Sequence, residues 1–476
     1  MLRKTSPALF AALWIPVSPV TAAEQVVTLG DSLTYAYEAE FGFRITIPFV
    51  GSFGDGFGPQ VRNWVEILND PAYRKDRFDL GARDTIRVVL SRILFRHEYN
   101  WALPGLKIDE LRAYMAGQIT IDDLVAADPE LSLFLAFSDF NGATDFPLGG
   151  LEEQIRSSAE RLVFFIGGND VRAVYGTIYN GGSAGSFVDD FIDDAAAILD
   201  RVLGLNPNLQ IVVVNVPHIG ITPDIKSSSP TDPVKTERVT AMLRDLNGRL
   251  AGLARARGLG YADIFTPTLS LLGPAPLCIH GIPFLNDGSA TGNLNYVWLN
   301  GPYSANFHPN TNAQALVANE IIEAFNARYQ TGIAPLSATE ILAGLHGKSS
   351  GEIDMPFATW MSGFGLGGLS AADDSDGDGI PAAVEFATGL NPTLHDSRRI
   401  SSRRVDAGGA ALELSYPVRL PVSPRYALAP TWSPDLATPF EAFSVPPATG
   451  ADGLARTVLP VAAGRGFLRL ESRVTP

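Results

Sequence analysis

The chain has 476 residues, 46% hydrophobic and 18% charged, with a formal net charge of −15. That acidic balance argues against nucleic acid or an anionic surface as the main partner. A single cysteine, Cys278, excludes an intrachain disulfide framework, so stability must come from apolar burial, for which the length suffices in one large domain and a smaller one.

Residues 1–23 carry Arg3 and Lys4, an apolar stretch from Ala8 to Val20, and then Thr21, Ala22 and Ala23. This is the pattern of a signal peptide and predicts a secreted, periplasmic or cell-surface protein. No later segment offers about 18 uninterrupted apolar residues, so no transmembrane segment is expected in the mature chain.

The first strand-like run, Val26-Val27-Thr28-Leu29, delivers Gly30-Asp31-Ser32 into a turn. Gly30 permits tight backbone there, and Ser32 is expected at the N-terminus of the next helix, as a nucleophile or as a simple cap. Ile45 to Val50 is strand-like and ends at Gly51-Ser52-Phe53-Gly54-Asp55-Gly56, where Gly51 offers an unobstructed backbone N–H. The stretch from about Asp70 to Gly150 carries Trp101, Tyr114, Phe134 and Phe137 and reads as a helical insertion with its own core, or as a lid.

Leu162 to Ile166 is a continuous apolar run typical of a buried parallel strand, and it stops at Gly167-Gly168-Asn169-Asp170. Gly181-Gly182-Ser183-Ala184-Gly185 matches a nucleophile-elbow pattern but lacks the strand that must precede it; Ser186 is expected to cap the helix carrying Phe187, Phe191 and Ile192. Val239, Met242, Leu243, Leu246, Leu250 and Leu253 form a helical stripe between strand-like Ile211–Val214 and Tyr261–Phe265. His308, in Asn306-Phe307-His308-Pro309-Asn310-Thr311, is a loop base candidate before a helix with Val317, Ile321, Ala324 and Phe325 on one face.

In order and character the segments around Ser32, Gly51, Asn169 and His308 resemble the SGNH hydrolases, also called the GDSL family of lipases and esterases. The likeness spans about residues 25–330 and includes Trp64 after the Gly51–Gly56 block and Val214-Asn215-Val216-Pro217 followed by Gly220. It implies an α/β fold with a doubly wound, flavodoxin-like parallel sheet. It also implies that Ser32 attacks an ester carbonyl and His308 shuttles the proton. The oxyanion would be held by the Ser32 and Gly51 N–H groups and the Asn169 amide, with no cofactor for catalysis. The family's Asp three residues before its His is here Ala305. Asn300 looks like that Asp displaced by an insertion, Asp287 lies in a nearby loop, and the third triad member stays unassigned. The remaining histidines, His97, His218, His280, His346 and His395, show no metal-ligand spacing; His280, beside Cys278, is the first substitute base among them, with a structural role expected ahead of that.

The texture changes over residues 331–356, read as a linker between a hydrolase domain (24–330) and a C-terminal region. Within 357–395, Asp374, Asp376, Asp378 and Glu385, with the Ile380 carbonyl and Gly379 at the turn, reproduce the spacing of a twelve-residue calcium loop. A hydrated acidic turn is the alternative. The segment resembles single calcium-loop modules of secreted bacterial proteins, implying a structural Ca²⁺. Residues 396–476 read as a small β-rich accessory domain, with strands near Leu412–Leu414, Phe440–Val445 and Phe467–Leu470.

The function expected is hydrolysis of carboxylic esters, with short acyl esters on carbohydrate or small molecules ahead of lipid. The alternatives are a catalytically impaired binding or adhesion protein and a lipase or phospholipase acting on long acyl chains. The oligomeric state is left open.

Overall fold

Val26–Gly30 (β1) and Arg161–Phe165 (β2) are buried at every residue and run parallel, Val26 opposite Arg161 and Gly30 opposite Phe165. They continue into Gln210–Val214 (β3) and Gly260–Ala262 (β4) in one parallel sheet of order β1-β2-β3-β4. The computed structural model describes residues 23–40, 45–47, 51–53, 56–57, 61–88, 91–120, 123–124, 148–286, 294–299, 305–406, 410–419, 425–435, 437–442, 448–449, 454–460 and 467–474. On the free edge of β1, parallel bridges join Gln25 to Asp79 and Thr28 to Asn100. The chain therefore leaves β1 to one side and returns on the other. Such a reversal opens a crevice beyond the strands' carboxyl ends, where Ser32 lies.

Alternation along the strands divides the core into two layers. Val27, Leu29, Leu162, Phe164, Ile211 and Val213 face one cluster with the helices Gly168–Tyr179 (α1), Phe187–Leu205 (α2) and Pro233–Ala256 (α3). Val26, Val163, Phe165, Val212, Val214 and Ala262 face the other, with Trp64–Leu68 and Thr311–Tyr329 (α4). The stripe read on α3 is in place: Val239, Leu243, Leu246 and Leu250 are buried, and Asp232 caps the helix at Val234 and Lys235.

Trp101 and Tyr114 belong to the first cluster, so they pack rather than line a lid; Phe134 and Phe137 lie outside the described residues. Residues 331–356, expected as a linker, pack onto the hydrolase core instead. Ile333, Leu336, Ile341, Leu342, Leu345 and Ile353 join the second cluster, and Arg74 grips the segment through Glu340 at 2.8 Å and the Ala334 and Pro335 carbonyls. The apolar spacing of those residues drives the docking.

Beyond it, Ala382–Thr388 (α5) ends at Gly389 in the left-handed region, φ 75°. Ser401–Asp406 (β5), Ala410–Pro417 (β6) and Leu454–Pro460 (β8) form one antiparallel sheet with Ala448–Thr449; Tyr426–Ser433 (β7) and Phe467–Val474 (β9) form a second with Glu441–Ala442. Leu414 and Tyr416 of the first meet Leu428, Leu468 and Leu470 of the second. Tyr426 is core, its hydroxyl donating to the Arg419 carbonyl at 2.7 Å. No helix among the described residues is long and apolar enough to cross a membrane.

Candidate active site

Ser32 follows β1 directly, in a turn closed by the Thr34 and Tyr35 N–H groups, both 3.0 Å from the Asp31 carbonyl. The next helix begins only at Tyr37. Ser32 is thus in a tight turn and not at a helix N-terminus, because Asp31 satisfies the turn's donors locally. Leu33 N–H donates to Asp31 Oδ1 at 3.0 Å, and among the described residues nothing accepts the Ser32 backbone N–H.

His308 is brought to Ser32 across 276 residues: its Nε2 lies 2.7 Å from Ser32 Oγ. Both residues are buried, and the rings of Tyr37 and Phe307 meet the imidazole edge-on at 5.9 and 5.8 Å. The loop is pinned by Leu299 N–H on the His308 carbonyl at 3.1 Å and by Asn310, which caps α4. Ala305 opens the single turn Ala305–Phe307, where its methyl cannot orient an imidazole. Asn300 and Asp287 lie outside the described residues.

Asn169 stands in the first turn of α1, after Gly167 at φ 126°. A Cβ on Gly167 would meet Val216 Cγ2 at 2.6 Å, so the sharp entry demands glycine. Asn169 Nδ2 donates to the Leu106 carbonyl at 3.2 Å, which fixes the amide and leaves its second N–H for a ligand.

Gly51 opens the short strand Gly51–Phe53, paired antiparallel with Ile45–Ile47. Asn63, downstream of it, reaches the Ser32 turn, its Nδ2 donating to the Leu33 carbonyl at 3.3 Å, while the free edge of β1 is bound by residues 101–103. Trp101 N–H donates to the Thr28 carbonyl at 2.9 Å and Leu103 N–H to the Gly30 carbonyl at 3.1 Å. Asn100 locks this register through Thr28 Oγ1 and the Thr34 carbonyl. Pro104-Gly105, with Gly105 at φ 78°, turns the chain from Leu103 to Leu106, the anchor of Asn169, and Leu106 N–H closes that turn on the Leu103 carbonyl at 3.3 Å.

Two buried carboxyls hold these loops. Asp31 takes the Leu33 N–H at 3.0 Å and faces the Gly167–Gly168 backbone, and burial pushes its pKa up to about 6. Asp170 accepts Ile108 N–H at 3.1 Å, while burial first, and then the neighbouring Asp31, push it up to about 7. Neither role was legible, because each depends on which loops meet.

Beside the site an open groove of about 750 Å³ is lined by Arg172, Tyr175, Asn180, Asp224, Ser227 and Ser229 among others. Arg172 pairs with Asp224 at 2.9 Å and lies 4.9 Å over the ring of Phe307, the neighbour of His308. The rival Ser183 is in a loop, its hydroxyl accepting Gly185 N–H. Ser186 precedes α2, but its hydroxyl donates to Asp190 and accepts no N–H of the helix, so it is not a side-chain cap. His280 occupies a tight turn at φ 47°, its pKa lowered to about 4 by burial.

Among the described residues the carboxylates able to gather at a metal are Asp374, Asp376 and Asp378, with ligand atoms within 4.8 Å of one another. Gly377 and Gly379, at φ 78° and 91°, turn the loop. Glu385 lies fully buried behind it with both carboxylate oxygens unpartnered. A donor set of carboxylates, with no nitrogen or sulfur, suits a hard cation such as Ca²⁺.

Residues 26–321, more than half of the chain, match the family described as GDSL-like Lipase/Acylhydrolase. Similar solved structures include an extracellular lipase from Streptomyces rimosus, 15% identical, covering 65% of this chain and 99% of its own at TM-score 0.31. A catalytic mutant of an acetylxylan esterase from Geobacillus stearothermophilus is 10% identical, covering 64% and 94% at TM-score 0.30. A lipase from a goat rumen metagenome is 14% identical, covering 52% and 82% at TM-score 0.28. No curated protein matches. On the extent of the family match, the chain belongs to the GDSL-like lipase/acylhydrolases and is an ester-bond hydrolase.

Proposed function

We propose that the chain is a secreted serine esterase in which Ser32 is the nucleophile and His308 the general base. The observation that carries this is the 2.7 Å approach of His308 Nε2 to Ser32 Oγ. With the Nε2 lone pair facing the hydroxyl, His308 takes the Ser32 proton as Oγ attacks the ester carbonyl, and returns it to the leaving alcohol. Water, deprotonated by the same imidazole, then releases the acid from the acyl-enzyme.

The developing oxyanion is held by the Ser32 N–H and the Asn169 amide. The third donor expected from sequence is the Gly51 N–H, and we keep the role there. Each donor of this kind is worth about 10²- to 10³-fold in kcat.

The groove beside Phe307 is lined by hydroxyls, an amide and a guanidinium, which suits a polyhydroxylated alcohol, so we place short acyl esters on carbohydrate or small molecules ahead of long-chain lipids. Export rests on the pattern of residues 1–23, and a structural Ca²⁺ at Asp374, Asp376, Asp378, Ile380 and Glu385 rests on the loop spacing and the orphaned Glu385 carboxylate.

Hydrolysis of p-nitrophenyl esters from acetate to palmitate tests the reading. Turnover highest at acetate and lost in Ser32→Ala is expected. A maximum at palmitate would make the protein a lipase, and no turnover by a folded chain that binds polysaccharide would favour a binding role.

A further inference from the structure

We infer that Asp396 is a further carboxylate ligand of the acidic-loop cation, which thereby joins the loop and α5 to the start of the β-rich region. This rests on the calcium reading above and extends it to a residue outside the loop.

Most oxygens of the loop aspartates are already hydrogen-bonded. Asp374 accepts from Gly377, Asp378 and Gly379, Asp376 Oδ1 from Asp378, and Asp378 from Ile380 and Asp396. Four carboxylate oxygens are left, buried and without a donor: Asp376 Oδ2, both of Glu385, and Asp396 Oδ1. Buried polar atoms are almost always paired, so acceptors without a proton donor, beside three aspartates whose ligand atoms lie within 4.8 Å of one another, call for a cation.

Asp396 is held at this cluster by its own backbone. Its N–H donates to Asp378 Oδ2 at 3.0 Å, and its Oδ2 accepts Asn391 N–H at 3.2 Å, leaving Oδ1 free. The positive charge near it is the exposed Arg399, which does not reach the orphaned oxygen.

The position gives the ligand its consequence. From Asp396 the chain passes through Ser397–Arg399 into β5. On the other side, Phe386 of α5 packs on Trp360 and Tyr426, and the Gly389 and Leu390 carbonyls accept Cys278 Sγ of the hydrolase domain. A cation shared by Glu385 and Asp396 ties the β-rich region to the helix that docks on the hydrolase.

The test uses the full chain without residues 1–23. Calcium titration calorimetry and Tb³⁺ luminescence are run on wild type, Glu385→Gln, Asp396→Asn and, as a distant control, Asp189→Asn, with limited proteolysis ± Ca²⁺. One Ca²⁺ per chain, an affinity lowered tenfold or more by Asp396→Asn and unchanged by Asp189→Asn, and calcium protection of residues 391–400 in wild type are expected. Wild-type affinity in Asp396→Asn would overturn the inference while leaving the loop site standing. Should that variant not fold, calcium binding by wild type without protection of 391–400 would overturn it equally. No calcium bound by wild type would remove both.

Discussion

Asn169 donates one hydrogen bond, to the Leu106 carbonyl, and its second N–H is the donor proposed for the oxyanion. Asn169→Ala is therefore expected to lower kcat by about 10²- to 10³-fold with only a small fall in melting temperature, the lost Leu106 bond being worth about 1 kcal/mol. Wild-type turnover in that variant would remove it from the oxyanion site. Ser32 and Asn169 were legible because each ends an apolar run at a glycine, and His308 because it precedes a periodic helix. Asp31 and Asp170 were not, since their roles arise only where the turn after β1 meets Ile108 and the entry to α1.

The elements carry the site through that meeting. Asp170, on α1, has a folded pKa raised from 3.8 to about 7. A raised carboxyl favours folding most below its unfolded pKa, and the benefit is lost as pH rises through the folded value. Asp170→Asn keeps the acceptor for Ile108 and removes the ionisation. Relative to wild type, the variant is expected to gain melting temperature progressively between pH 4 and pH 7; a constant difference across that range would contradict the assignment. The parallel strands and α3 were readable from periodicity alone. The helix expected at Ser32 was not found, because Asp31 closes a local turn first and the helix waits until Tyr37.

At the scale of the molecule, the hydrolase core extends past the boundary suggested by composition. Residues 333–353 bury Ile341, Leu342 and Leu345 and are clasped by Arg74. A chain ending at Tyr329 is expected to be insoluble or to melt well below one ending at Pro356, which differential scanning fluorimetry will report. Equal melting would make the segment a linker after all. Gly, Ser and Pro masked its short apolar spacing in the sequence, whereas the acidic loop and α5 stood out by pattern. Chelation is expected to lower the melting temperature of the full chain, and an unchanged melt with no bound calcium would remove the structural ion.

His308 is proposed to make one serine, Ser32, nucleophilic. Labelling with a fluorophosphonate followed by peptide mass spectrometry reads this out at the residue. One adduct per chain is expected, on Ser32, lost in His308→Ala. An adduct on Ser183, or Ser32 labelling that persists at the wild-type rate without His308, would contradict it.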